Sequence, residues 1–270
     1  MTIYAKIIAD SKGPGGRITS LELQYQRFIH SEVMTHRVFS RNAMSSRAIP
    51  VEKMIAQVRE NPAAPIHWGA NQPGMQASVQ LVGDDLQLVK HQWKLAAERA
   101  ADSANIMREL GAHKQVVNRI LEPFQWMRTI VTATEWDNFF ELRDHPDAQP
   151  EFRVLAQAIR QAMGESKPQF KRTGEWHLPY VREDEQELLN PEILPKISAA
   201  RCARVSYLTH DGENPDVRKD LDLFNRLVGA RPLHASPIEH QARAMSCKAA
   251  SRNFWGWQQF RETYESNLRG

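Results

Sequence analysis

The sequence predicts a globular chain that combines β-strand with several α-helices. Three observations carry that reading. Apolar and polar residues alternate over residues 21–26 (Leu-Glu-Leu-Gln-Tyr-Gln), apolar residues recur at helical spacing from Asp85 onward, and Asn214-Pro-Asp precedes another periodic run. The 270 residues suffice for a full core, and 41% hydrophobic with 25% charged residues is the balance of an ordinary soluble protein.

Taken in order, the opening Met-Thr-Ile-Tyr-Ala-Lys lacks a charged-then-apolar leader, and no apolar run approaches membrane-spanning length. The expected compartment is therefore the cytoplasm, with no membrane partner. Residues 21–26 read as a half-buried strand, and Pro50 closes the ordered run after it. Residues 60–80 are rich in Pro, Gly and Asn and read as a long loop. A helix follows from Asp85, with Leu88, Val89, Trp93, Ala96, Ala97, Ala100, Ala104, Met107 and Leu110 on one broad face and Gly111 placed to end it. A second helix is expected from Gln115 to just before Pro123, and further helices across residues 135–142 and 151–163. Residues 164–198 carry Gly164, Pro168, Gly174, Pro179, Pro191 and Pro195 among many charges and read as a connector. Beyond it, Asn214-Pro-Asp caps a helix whose buried stripe is Val217, Leu221, Phe224, Leu227 and Val228, before Gly229.

The net charge of +3 fits anionic ligands, but it equally fits a solvated surface and does not select nucleic acid as a partner. Cys202 and Cys247 are the only cysteines, which excludes a disulfide framework and a four-cysteine metal site. Each reads as a small buried residue rather than a nucleophile.

Polar chemistry concentrates in three places. Residues 35–47 (Thr-His-Arg-Val-Phe-Ser-Arg-Asn-Ala-Met-Ser-Ser-Arg) hold three arginines, a histidine, an asparagine and three serines. Arginine forks, hydroxyls and backbone N–H groups can together surround a phosphate or diphosphate, and the plainer alternative is a solvated basic loop. The second place joins Arg119 and Pro123 to residues 138–143 (Asn-Phe-Phe-Glu-Leu-Arg). On a helix Asn138 and Arg143 stand about 140° apart and share only a broad side. Arg143 lies among apolar neighbours and needs a partner, for which Asp144 or Glu141 is the simplest choice. The third place is residues 234–240 (His-Ala-Ser-Pro-Ile-Glu-His). Its spacing is not that of a helical two-histidine zinc site, and Pro237 interrupts any helix, so no metal is assigned.

These blocks resemble the flavin-dependent thymidylate synthases. Thr35-His-Arg, seven residues and then Ser45 is similar to the signature Arg-His-Arg, seven residues, Ser, with Ser40 and Asn42 at its inner positions and Arg47 trailing. Arg119 with Pro123, and residues 138–143 followed by Ala148-Gln149 and Glu151, resemble two further family segments. Residues 203–207 (Ala-Arg-Val-Ser-Tyr) and 234–240 resemble two blocks that normally open the family's sequence. Here they follow the arginine-rich block, an order that circular permutation explains. The reading is a single domain over residues 1–270, made of an arginine-rich half (1–163), the connector (164–198) and a half carrying the other two blocks (199–270). Residues 50–85 match no typical family segment. The family's first arginine is Thr35 here, its glutamate after the asparagine is Ala43, and its glutamine near the end of the preceding strand is Glu32.

The resemblance implies an α+β fold with a mixed central sheet covered by helices, assembled as a homotetramer with active sites between subunits. It implies methylation of dUMP to dTMP at C5, with FAD as cofactor and methylenetetrahydrofolate and NADPH as co-substrates. It assigns Arg143 to polarise the pyrimidine and Ser45, Ser46, Arg47, Arg119 and Arg143 to hold the nucleotide. His36, Arg37, Asn138, Ser236 and Glu239 would contact the flavin. The departures at positions 35 and 43 keep related outcomes open: UMP or dCMP as substrate, a hydroxymethyl product, or a nucleotide-binding protein that has lost flavin. If the order is permuted, residues 234–240 must lie beside residues 35–47. The segment after Glu239 should then share a sheet with residues 21–26.

Overall fold

Pro14 and Gly15 separate two extended stretches, and the chain reverses there into a hairpin. The computed structural model of the protein describes residues 1–205 and 216–269. β1 (Tyr4–Gly13) and β2 (Gly16–Gln26) pair antiparallel from Gly13↔Gly16 outward. After them come α1 (His30–Val33), β3 (Ser40–Ala43), α2 (Val51–Glu60), α3 (Gly83–Glu109) and α4 (Lys114–Val117). β4 (Trp126–Ala133) leads into α5 (Asp137–Arg143) and α6 (Pro150–Glu165). β5 (Gln169–Phe170), β6 (Trp176–His177), α7 (Glu183–Leu188) and α8 (Leu194–Arg204) follow. Then come α9 (Val217–Leu227), a 3-10 turn (Ser236–Glu239), β7 (Ala242–Ala244), β8 (Ala250–Ser251), β9 (Phe254–Trp255), β10 (Trp257–Gln259) and α10 (Phe260–Arg269).

The central sheet has the order β3-β4-β2-β1-β5, antiparallel except for the parallel β1–β5 pair, so the mixed sheet of an α+β fold is present. Leu21, Leu23 and Tyr25 of β2 face the main core beside Met127 and Val131 of β4, under α6 (Phe152, Leu155, Ile159) and the α2–α3 pair. The alternation at residues 21–26 marks two covered faces rather than one. Ser20, Gln24 and Gln26 are buried on the other side, and Ile130 packs there against Cys202 and Val205. Most of these polar groups are bonded: Ser20 Oγ meets Thr132 Oγ1, and Gln24 Nε2 donates to Thr2 O at 2.8 Å. The half-buried Glu22 accepts from Tyr4 Oη and Tyr180 Oη, both at 2.8 Å, while Gln26 Oε1 has no partner among the described residues.

β7 does not join that sheet. It lies between β10 and β6 in a separate three-stranded sheet, because β1's outer edge is already taken by β5. The expected shared sheet is therefore replaced by packing of two sheets, with Ile18 against Ala242, Ala244 and Trp257. A buried polar chain runs between them. His177 Nδ1 meets Ser11 Oγ at 2.9 Å and Nε2 meets Ser20 Oγ at 2.9 Å; Ser20 Oγ meets Thr132 Oγ1 at 2.5 Å, which meets His240 Nδ1 at 2.9 Å. Burial pushes both histidines down to about 3, so they are neutral at pH 7.

Several elements differ from the sequence expectation. Only Ala97, Ala101 and Ala104 of α3 are fully buried, while Leu88, Val89, Ala96 and Leu110 are exposed. α2, at about 15 Å long, covers only part of a helix of about 40 Å. α4 stops at Val117, since Asn118 turns its side chain to Ser46 O (2.7 Å) and Ile49 O (3.0 Å). Residues 164–198 carry two strands, α7 and the start of α8, so the stretch is built into the fold. Asp216, not Asn214, caps α9, accepting from Arg218 N and Lys219 N. Asn214, Pro215, Ser206 and Tyr207 lie outside the described residues. Among the described residues no helix is long and apolar enough to cross a membrane.

Candidate active site

β3 is an edge strand cut from the arginine-rich segment, and its alternation decides what each side chain can reach. Ser40 and Asn42 are buried. Asn42 Oδ1 accepts from Ser236 Oγ at 3.3 Å, and its Nδ2 donates to Cys202 O at 2.7 Å. Gln259 Nε2 donates to Ser40 Oγ and to Glu239 O, both at 3.2 Å. Residues 234–240 therefore lie beside residues 35–47 within one chain, as the permuted order requires.

Where these segments meet, a cleft of about 590 Å³ opens. Its lining includes Asn42, Ser45, Arg47, His234, Ser236 and Pro237, and also three residues the sequence reading passed over, His113, Lys114 and Gln115. Among the described residues no aspartate or glutamate lines it. An acceptor-poor, cationic wall of this kind favours anionic oxygens. α4 is too short to show a periodic pattern, so only tertiary structure reveals that Lys114 belongs here.

Arg143 lies outside that lining, in a second cluster. Its Nε donates to His36 Nε2 at 2.9 Å, its Nη2 donates to Thr35 Oγ1 at 3.3 Å, and its guanidinium sits 4.5 Å over the Phe152 ring. Glu32, which stands in α1 beyond the end of β2, is the nearest carboxylate at 4.0 Å from Nη1. Asp144 pairs with Arg160 instead, so neither expected helix neighbour serves Arg143. Desolvation, then Arg143 and Arg41, push His36 down to about 4, which keeps Nε2 an acceptor for Arg143.

A third cluster supports the cleft from below. Glu122 Oε1 accepts from Arg119 (2.8 Å), Arg27 (2.9 Å) and Ser46 Oγ (3.0 Å). Arg119 and Ser46 thus meet at one carboxylate, with Ser46 buried and Arg119 exposed. Arg37 and Asn138 are exposed, and Glu239 is ion-paired with Arg261. Among the described residues no three His, Cys, Asp or Glu side chains gather to hold a metal ion.

The family model described as "Thymidylate synthase complementing protein" matches residues 18–169, more than half of the chain. Two solved structures of a UMP/dUMP methylase, PolB from Streptomyces cacaoi, share the fold. The one bound with 5-Br dUMP has a TM-score of 0.51 at 14% identity, and the one bound with 5-Br UMP has 0.51 at 16%. Each covers 60% of this chain, and 90% and 89% of the PolB chains. No curated protein sequence matches the chain.

Proposed function

Because the chain belongs to the thymidylate synthase complementing protein family, we propose that it methylates dUMP at C5 to give dTMP, using FAD, methylenetetrahydrofolate and NADPH. The observation that carries the reading is the cleft walled by Arg47, Lys114, Ser45 and Ser236, where both motif blocks meet and which no carboxylate lines among the described residues. C5 of uracil becomes nucleophilic as negative charge on the ring is stabilised. Arg143, held by His36 and Thr35, is the group assigned to that work. Ser45, Ser46, Arg47 and Arg119 position the nucleotide, with Glu122 accepting from Ser46 Oγ and Arg119, and Asn118 donating to Ser46 O, to fix the loop beneath them.

The Glu239 carboxylate is ion-paired with Arg261, and hydroxyl, amide and cationic donors suit the diphosphate of FAD. We assign His36, Arg37, Asn138, Ser236 and Glu239 to it, with His36 and Glu239 serving while bonded to Arg143 and Arg261. When bound, the flavin supplies the reducing equivalent, which NADPH restores. Arg143 stands outside the cleft of its own chain, which supports sites shared between copies in a homotetramer. The folate and the pyrimidine nucleotide are its partners in this reading.

A second reading has UMP, or dCMP, as substrate or a hydroxymethyl product. It is favoured by Thr35, which accepts from Arg143 where the resembled signature has a cation, and by fold neighbours that are UMP/dUMP methylases. Purified protein should show flavin absorbance, and dUMP with methylenetetrahydrofolate should accelerate NADPH oxidation. Protein that binds dUMP but takes up no FAD would instead be a nucleotide-binding relative without the enzyme's chemistry.

A further inference from the structure

The turn bearing Ser45 and Arg47 is fixed on several sides. Ala48 N donates to Ser45 O at 2.9 Å, Asn118 Nδ2 donates to Ser46 O and Ile49 O, and Ser46 Oγ donates to Glu122. Lys114, from the far side of 65 intervening residues, closes the arrangement by donating Nζ to Ala48 O at 3.0 Å. A lysine ammonium has three protons, so that bond leaves two for a ligand. Arg47 is exposed and forms no ion pair among the described residues. Both line the same cleft, in which no carboxylate stands among the described residues.

We infer that Lys114 is a phosphate ligand, forming with Arg47 the anion subsite for a nucleoside monophosphate. A phosphate monoester carries a charge of about −1.5 to −2 at pH 7, which two cations match. The bond to Ala48 O holds the ammonium in place before the ligand arrives, so little side-chain freedom is lost on binding. Ala203, Leu227 and Pro237 in the same lining supply apolar surface for the rest of the nucleotide. The identity of the nucleotide rests on the function proposed above; the cationic subsite does not.

Calorimetric titration with dUMP, deoxyuridine and inorganic phosphate separates the two. The comparison is between wild-type protein, Lys114→Gln and Lys114→Arg, each first checked for unchanged melting temperature. Lys114→Gln keeps an N–H donor for Ala48 O but loses the charge. It should weaken dUMP and inorganic phosphate about tenfold, the scale of one charge-assisted hydrogen bond, and leave deoxyuridine unchanged. Lys114→Arg should retain most of the affinity. Equal weakening of dUMP and deoxyuridine, or no weakening of either dUMP or phosphate, overturns the assignment. If wild-type protein turns over dUMP while Lys114→Gln binds it normally, the subsite fails and the proposed function stands. If wild-type protein binds phosphate through Lys114 but makes no product from any pyrimidine nucleotide, the function fails and the subsite stands.

Discussion

At Arg143 the fold has placed a guanidinium where each nitrogen has a distinct neighbour: His36 for Nε, Thr35 for Nη2 and, farther off, Glu32 for Nη1. That is a held cation rather than a surface one, as a group that must stabilise charge in a transition state requires. Arg143→Ala should leave the protein folded and flavin-loaded but lower turnover at saturating nucleotide by about 10²-fold or more. Near-normal turnover would remove Arg143 from the mechanism. The cysteines give a complementary test. Burial pushes the Cys202 thiol well above its usual range, so it is no prepared nucleophile, whereas Cys247, expected to be buried, is exposed. Replacing both by alanine should leave measurable turnover. A stable, flavin-loaded double variant with none would point to a covalent route. The family resemblance pointed to His36, Arg143 and Ser236, and the fold brings His36 to Arg143 and Ser236 to Asn42. Spacing alone left Arg143 as an ordinary ion-pair partner. It named the wrong partner for Arg143, because Glu32 and His36 approach only after residues 30–36 fold against α5 and α6. It missed Lys114 and Glu122 for a similar reason: both act through contacts with the turn at residues 45–48 or its neighbours, not through any local pattern.

Among the elements, the helices with strong periodicity were the legible ones, α3, α6 and α9 above all. The strands were harder. β4 is buried on both sides and therefore shows no alternation, and β3 is hidden inside a polar segment whose Ser40 and Asn42 are satisfied by residues more than 150 positions away. The hairpin of β1 and β2 shows how such distant pieces lock. A Cβ on Gly15 would stand 2.5 Å from Gly256 Cα and 2.7 Å from Cys247 O, and Gly256 itself has φ +74°. The turn of the first hairpin and the loop before β10 thus touch backbone to backbone. Gly15→Ala should cost about 1–3 kcal/mol of stability, the scale of an overpacked core site. The change should appear as a lower urea midpoint with an unchanged slope. An unaltered midpoint would mean the two turns can separate without consequence.

On the scale of the whole molecule, the N-terminal half and the C-terminal blocks are joined through buried polar contacts as much as through apolar packing. The chain Ser11–His177–Ser20–Thr132–His240 crosses from one sheet to the other with both imidazoles neutral. Unfolding frees these histidines to protonate near 6.5, whereas in the fold each does so only near 3. Between those values the unfolded chain binds more protons, so stability falls as pH falls through the window. His177→Gln does not titrate, and thermal melts of it should lose stability less steeply from pH 6.5 toward 4 than wild-type melts. Parallel profiles would show that His177 is not held neutral. The same joint brings Ser236 to Asn42 and so assembles the cleft on which the functional reading depends. The most direct test of that reading is mass spectrometry of the products formed from dUMP, UMP and dCMP with FAD, NADPH and methylenetetrahydrofolate. The expected result is a dUMP product heavier by one CH₂ that Arg143→Ala forms about 10²-fold more slowly; flavin-loaded wild-type protein that returns every nucleotide unchanged would contradict it.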